Sequence, residues 1–142
     1  MGLIQRLSTM ADTAASAAHV NTSRVIDVPA SVVWDVITDT RTWTQWGPSV
    51  TAVETRSSRL GPDSRGRVKV AGAVWVDFVV CGWEEGCYWL WKVQGVQATG
   101  HRVEPLSDGR CRLIFEVPAV AAPYLWVCRR ATAAIAVVAM DR

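Results

Sequence analysis

Two lysines, two histidines, two tyrosines and two phenylalanines are all that this 142-residue chain contains of those four residue types, and several of these shortages close off a class of function. His19 and His101 lie far apart, and the four cysteines, Cys81, Cys87, Cys111 and Cys128, make no Cys-x-x-Cys pair. The closely spaced ligand pairs of a structural zinc site are therefore missing, and neither metal nor other cofactor is expected. Arginine stands in for the scarce lysine, but the 13 carboxylates offset most of the 15 basic residues and leave a net charge of +2. The arginines run from Arg6 to Arg142 with no cluster longer than Arg129-Arg130, whereas nucleic-acid binding needs a concentrated basic stripe, so no nucleic-acid partner is expected. Long apolar runs are also lacking. The longest, Ala131 to Met140, is half of the roughly 20 residues that span a bilayer, which argues against integral membrane association.

Targeting patterns fail as well. Met1-Gly2 is followed by Arg6 where a myristoylation signal has Ser or Thr, and the small residues between positions 10 and 20 follow no apolar core of signal-peptide length. Residues 1–20 read as an N-terminal lead-in, disordered or helical, and 21–142 as one domain of ordinary size in a cytoplasmic protein. Cys81 and Cys87 flank the turn Gly82-Trp83-Glu84-Glu85-Gly86, so a disulfide across a hairpin is geometrically conceivable, but in the cytosol reduced thiols are expected.

What the chain does have is tryptophan, which supplies eight of its twelve aromatic residues within a composition that is half hydrophobic. The pattern around these indoles is regular. Thr22–Val28 reads as a strand that Pro29 closes, and Ala30–Thr38 places Val33, Val36 and Ile37 at helical spacing with Trp34 beside them. Asp39 is a suitable N-cap for a second short helix carrying Trp43 and Trp46, which Gly47-Pro48 ends. Strands then succeed one another at Val50–Arg56, Arg67–Ala71, Val74–Gly82, Cys87–Val93, Val96–Pro105 and Cys111–Val117, joined mainly by turns that imply antiparallel neighbours. Past Pro118 and Pro123, Tyr124–Met140 is long enough for about four helical turns. An α+β fold satisfies this order: a curved antiparallel sheet of about seven strands wrapped around a long C-terminal helix, with two short helices between strands 1 and 2.

The segment Pro29-Ala30-Ser31-Val32-Val33-Trp34-Asp35-Val36-Ile37-Thr38-Asp39, running into Trp43-Thr44-Gln45-Trp46-Gly47-Pro48, resembles the opening of the polyketide cyclase/dehydrase and START-like families of the SRPBCC superfamily. The loop Gly61-Pro62-Asp63-Ser64-Arg65-Gly66, Trp89 and Trp91 in a central strand, and Gly100-His101-Arg102-Val103-Glu104-Pro105 fit the same resemblance, which covers roughly residues 22–140. It implies the helix-grip fold with a deep cavity between sheet and C-terminal helix. Such cavities hold lipids, sterols, plant hormones or aromatic polyketides, and only some members catalyse a reaction. No shared catalytic motif comes with the resemblance, so a site has to be argued from side chains.

Strand parity supplies that argument. Arg110, Arg112 and Glu116 belong on the solvent face, which turns Cys111, Leu113, Phe115 and Val117 inward. Similar alternation turns Val68 and Val70 inward, and Lys92 outward leaves Trp89 and Trp91 inside. With Arg102 and Glu104 outside, Thr99, His101 and Val103 face in. Val74–Gly82 admits two parities: Val74, Val76, Phe78 and Val80 inward with Asp77 at the surface, or Trp75 and Asp77 inward at the cost of a buried carboxylate. On the last helix Leu125, Cys128, Thr132, Ile135 and Ala139 form a stripe, while Tyr124 and Trp126 stand at its start. The expected ligand-binding set is Trp89, Trp91, His101, Phe115, Leu113, Val70, Phe78, Tyr124, Cys128 and Thr132. Trp34, Trp43 and Trp46 are expected to pack the short helices.

The leading functional reading is binding of a small hydrophobic or aromatic molecule, such as a lipid or polyketide, by a monomer or homodimer. The alternative is a cyclase, aromatase or dehydratase using His101 with Asp77 or Tyr124 as acid/base partner. A third reading, implied by the resemblance alone, is a regulatory protein that acts through a protein partner.

Overall fold

The computed structural model describes residues 19–142. β1 (His19–Ile26) pairs antiparallel with the last strand, and Val20 lies opposite Val117. It begins three residues before the expected start, so His19 and Val20 belong to the sheet and not to the lead-in; residues 1–18 of that lead-in lie outside the described residues. α1 (Ala30–Thr38) comes directly after Pro29, whose carbonyl accepts from Val32 N at 3.0 Å. A proline suits this position because the first helical N–H groups have no partner within the helix. α1 buries Val33, Trp34, Val36 and Ile37, the face set by its apolar spacing.

Side chains from the next turn close the end of α1. Thr42 Oγ1 donates to Val36 O at 2.7 Å and Trp43 Nε1 to Ile37 O at 3.1 Å, so two terminal helix carbonyls gain partners. Asp39 accepts from Arg41 N at 3.0 Å and caps a 3₁₀ turn, Thr40–Thr42, that leads into α2 (Trp43–Trp46). Trp46 Nε1 in turn donates to Thr42 Oγ1 at 3.0 Å. The expected N-cap thus initiates a tighter turn first, and α2 is one turn long.

The remaining strands are β2 (Val50–Thr55), β3 (Arg65–Val70), β4 (Val74–Glu84), β5 (Tyr88–Val93), β6 (Val96–Pro105) and β7 (Cys111–Pro118). A 3₁₀ turn, Ala119–Tyr124, precedes α3 (Leu125–Met140). The sheet order is β1-β7-β6-β5-β4-β3-β2, entirely antiparallel, so α1 and α2 carry the chain from one edge to the other and the meander brings it back. α3 crosses β1 and β7 and packs against both short helices. This is the helix-grip architecture.

Alternation on β7 is complete: Cys111, Leu113, Phe115 and Val117 are buried, while on the other face Arg102 and Glu116 form an ion pair at 3.0 Å. On β4 the structure selects one parity. Phe78 and Val80 are buried and Asp77 is exposed on the outer face, where the Trp75 ring lies beneath the Arg67 guanidinium at 4.8 Å. A bulge at Cys81, between the pairs Val80↔Trp91 and Gly82↔Leu90, then inverts the parity. Trp83, opposite Trp89, therefore turns inward and meets Trp34 of α1 edge to face at 5.2 Å. The same register separates the two hairpin cysteines: Tyr88 lies opposite Glu84, Cys81 falls in the bulge well back along β4, and all four thiols are free.

Gly47 ends α2 because space demands it. A Cβ there would sit 2.8 Å from Trp43 O and 3.2 Å from Val50 Cγ2. Gly47→Ala is expected to destabilise the protein by about 1–3 kcal/mol through overpacking, read as a lower urea midpoint; an unchanged midpoint would show that α2 shifts freely.

Candidate functional site

The concave face of the sheet is incompletely filled, and two neighbouring chambers result. The inner one, about 60 Å³, lies among Trp43, Trp46, Trp89, Trp91, His101 and Phe115, with Gly47, Val50, Thr99, Tyr124, Val127, Cys128 and Ala131 completing its wall. The outer one is about 390 Å³ and is walled largely by valine, at positions 50, 68, 70, 76, 93, 96, 117 and 120, with Gln97, Ala98, Thr99, Ala121 and Tyr124. Val50, Trp91, Thr99 and Tyr124 border both. Among the described residues, no charged one lines either chamber.

The local structure that opens the outer chamber is a second bulge. Leu90 pairs with Gly100 and Lys92 with Gln97, so β6 sets two residues, Ala98 and Thr99, against Trp91, and both reach the chamber wall. The β5–β6 turn, Gln94-Gly95, has positive φ at both positions (52° and 76°), as a tight two-residue hairpin connection requires. Val96 beyond it and Val120, both on the chamber wall, are 69% and 95% exposed, so the chamber opens to solvent where they line it. Tyr124, which borders both chambers, has its Oη hydrogen-bonded to Ser49 Oγ at 2.8 Å.

The inner chamber is built from stacked rings. His101, 2% exposed, stacks on Trp89 with centroids 3.7 Å apart, Trp89 is parallel to Trp43 at 5.6 Å, and Phe115 meets His101 edge to face at 4.7 Å. Desolvation pushes the His101 pKa down to about 3, against a smaller upward pull from the hydrogen bond to Trp89 O, so the imidazole is neutral at pH 7. That bond, His101 Nδ1 to Trp89 O at 3.3 Å, fixes the tautomer: a carbonyl oxygen only accepts, so Nδ1 carries the hydrogen and Nε2 keeps a lone pair. Burial raises the Cys128 thiol to about 11, which keeps it protonated and unreactive as a nucleophile. Among the described residues, three buried side-chain nitrogens have no hydrogen-bond partner: the indole N–H groups of Trp34, Trp89 and Trp91.

The structure sorts the sequence-derived candidates. Trp89, Trp91, His101, Phe115, Tyr124 and Cys128 line the inner chamber and Val70 the outer one. Phe78, Leu113 and Thr132 line neither and are corrected to core positions. Phe78 is wedged between Trp43 and Trp91, at 5.4 and 5.5 Å, and Leu113 is fully buried. Thr132 is buried on α3 with its hydroxyl turned back to Arg129 O at 2.9 Å. Asp77, on the outer face, is not brought to His101, and Tyr124 directs its hydroxyl to Ser49. Trp126 is 59% exposed and borders neither chamber. Missed from the sequence were Trp43, Trp46, Gly47 and Val50; the three-residue spacing of the two indoles marked a helix face but not what that face would meet.

The sequence matches the family described as polyketide cyclase / dehydrase and lipid transport over residues 17–140. The chain belongs to this family. No curated protein matches it. Among solved structures, it is similar to the Zhui aromatase/cyclase from a Streptomyces species, at 15% identity and TM-score 0.67, covering 87% of this chain and 94% of that one. It is also similar to a START superfamily protein from Mycobacterium smegmatis, at 14% identity and TM-score 0.64, covering 80% and 93%. A hypothetical protein from Helicobacter pylori has 12% identity and TM-score 0.69, covering 85% and 87%. At such identities the likeness establishes the fold. No helix among the described residues is long and apolar enough to cross a membrane.

Proposed function

We propose that this member of the polyketide cyclase/dehydrase and lipid transport family binds a small hydrophobic or aromatic molecule between the sheet and α3. The observation that carries the reading is the outer chamber: about 390 Å³, walled by valines and open at one end, within the size range of small-molecule pockets. Apolar surface held open to water is unfavourable, and a ligand that covers it gains the transfer free energy of both surfaces. The inner chamber, about 60 Å³, is too small for a ring system, so the body of the ligand lies in the outer chamber and its tip reaches the inner one.

The acid/base alternative has less support. Its carboxylate partner sits on the other face of the sheet, and a neutral histidine with a pKa near 3 is a weak base at pH 7. Titration of the indole fluorescence with a fatty acid, a sterol and a polyphenol tests the binding reading, since Trp91 borders both chambers. A saturable change with at least one of them is expected, weakened tenfold or more by Ala121→Trp, which fills the outer chamber from its rim. No saturable response from any of the three would remove the proposal.

A further inference from the structure

The four residues that border both chambers, Val50, Trp91, Thr99 and Tyr124, form the boundary between them, and they are held to very different degrees. Val50, Trp91 and Thr99 stand on β2, β5 and β6, so a shift of any of them disturbs the sheet. Trp91 is also packed against the rings of Trp43, Phe78 and Trp89, at 5.6, 5.5 and 5.7 Å. Tyr124 instead ends the 3₁₀ turn Ala119–Tyr124, a segment without a single buried residue. It is 42% exposed, and its hydroxyl is tied by the solvent-exposed hydrogen bond to Ser49 Oγ, 2.8 Å long. Ser49 belongs to the short link between α2 and β2 and lines neither chamber.

One member of the boundary can therefore move without breaking a strand pairing, and a single hydrogen bond holds it. We propose that Tyr124 is a gate between the chambers, latched by Ser49, and that this latch sets how long a ligand the protein accepts. A ligand confined to the outer chamber has the same contacts whether the gate is shut or open, so the latch does not affect it. A longer one reaches the inner chamber by displacing Tyr124, and its affinity is reduced by the fraction of time the gate stays shut. The hydroxyls released on opening find water, so the latch is weak and a long apolar tail that gains the inner chamber outweighs it. This rests on the binding reading above and deepens it.

A series of straight-chain alcohols, hexanol, octanol, decanol and dodecanol, tests the gate by calorimetric titration. In wild type the affinity is expected to rise roughly fourfold per methylene while the outer chamber fills, and then to level off. Further carbons either project into water at the open end or have to displace Tyr124. Ser49→Ala removes the latch from a position outside both chambers. It is expected to leave the hexanol Kd within about twofold and to tighten dodecanol about three- to tenfold, the equilibrium worth of one net hydrogen bond. Tyr124→Phe keeps the ring and loses the same bond, so it too should tighten dodecanol, and adding Ser49→Ala to it should bring no further gain. A merely structural role for Ser49 would move hexanol and dodecanol together. Equal shifts for the two alcohols, an unchanged dodecanol Kd in Ser49→Ala, or additive gains in the double variant would overturn the gate and leave the apolar-cavity reading standing. Failure of all four alcohols to bind the wild-type protein would overturn both.

Discussion

Truncation of Trp43 to alanine is expected to destabilise the protein by about 3–5 kcal/mol, the cost typical of removing a fully buried aromatic side chain from a core. Trp43 is 1% exposed and is the hub of the aromatic cluster: it stacks on Trp89, packs edge to face on Trp91 and Trp46, and tilts against Phe78. Its indole N–H also closes the C-terminus of α1 through Ile37 O, so the truncation leaves a buried carbonyl short of a partner as well as a void. That void adjoins the inner chamber and cannot collapse without moving strands β4 and β5. Urea denaturation of wild type and variant measures the difference. A loss below about 1 kcal/mol would mean that the cluster tolerates a hole and that the cavity walls are not held by packing. Trp43→Phe, which keeps the stacked ring and loses the N–H, is expected to fall between the two.

Acid will destabilise the fold through His101. In the unfolded chain the imidazole titrates near 6.5, whereas burial depresses it to about 3 in the native state. Between those values the unfolded state binds a proton that the native state refuses, so stability is full above about pH 6.5 and falls as pH drops toward 3. At 1.36 kcal/mol per pH unit the loss reaches about 2 kcal/mol by pH 5 and approaches about 5 kcal/mol near pH 3, a large part of a typical domain's stability. His101→Phe removes this contribution. Its stability should therefore fall less than that of wild type between pH 7 and pH 5, even if it starts lower. Asp39, whose carboxyl is held below its ordinary value by Arg41, contributes acid sensitivity below about pH 4 in both proteins and does not disturb the comparison. Parallel stability curves for wild type and variant across pH 5–7 would refute the assignment of a buried, neutral His101.

Much of the architecture is legible in the chain itself. Charges alternate so cleanly with apolar residues on Cys111–Val117 that only one face could be buried, and Pro29, Asp39 and Gly47 mark the beginnings and ends of the short helices. The inward positions of Trp89, Trp91 and His101 also come from parity. Parity nevertheless says which face a residue takes and not what lies above it. Phe78 and Leu113 face the same way as Trp91 and Phe115, yet they are sealed in the core. The bulge at Cys81 hides from a periodicity argument altogether, because the extra residue is defined only by its partner strand, and it reversed the facing of Trp83.

The sequence by itself determined the order of elements, the antiparallel meander and the uncharged character of the sheet's inner face, since these rest on local periodicity and on the cost of burying charge. The tertiary structure alone decided where the interior stays open and which indoles have their N–H groups satisfied. Both depend on distances between elements far apart in the chain: α2 sets Trp43 and Trp46 against β5, and the side chains of Thr42 and Trp43 meet the end of α1. A cavity is space left over when such elements meet, and no residue encodes it alone.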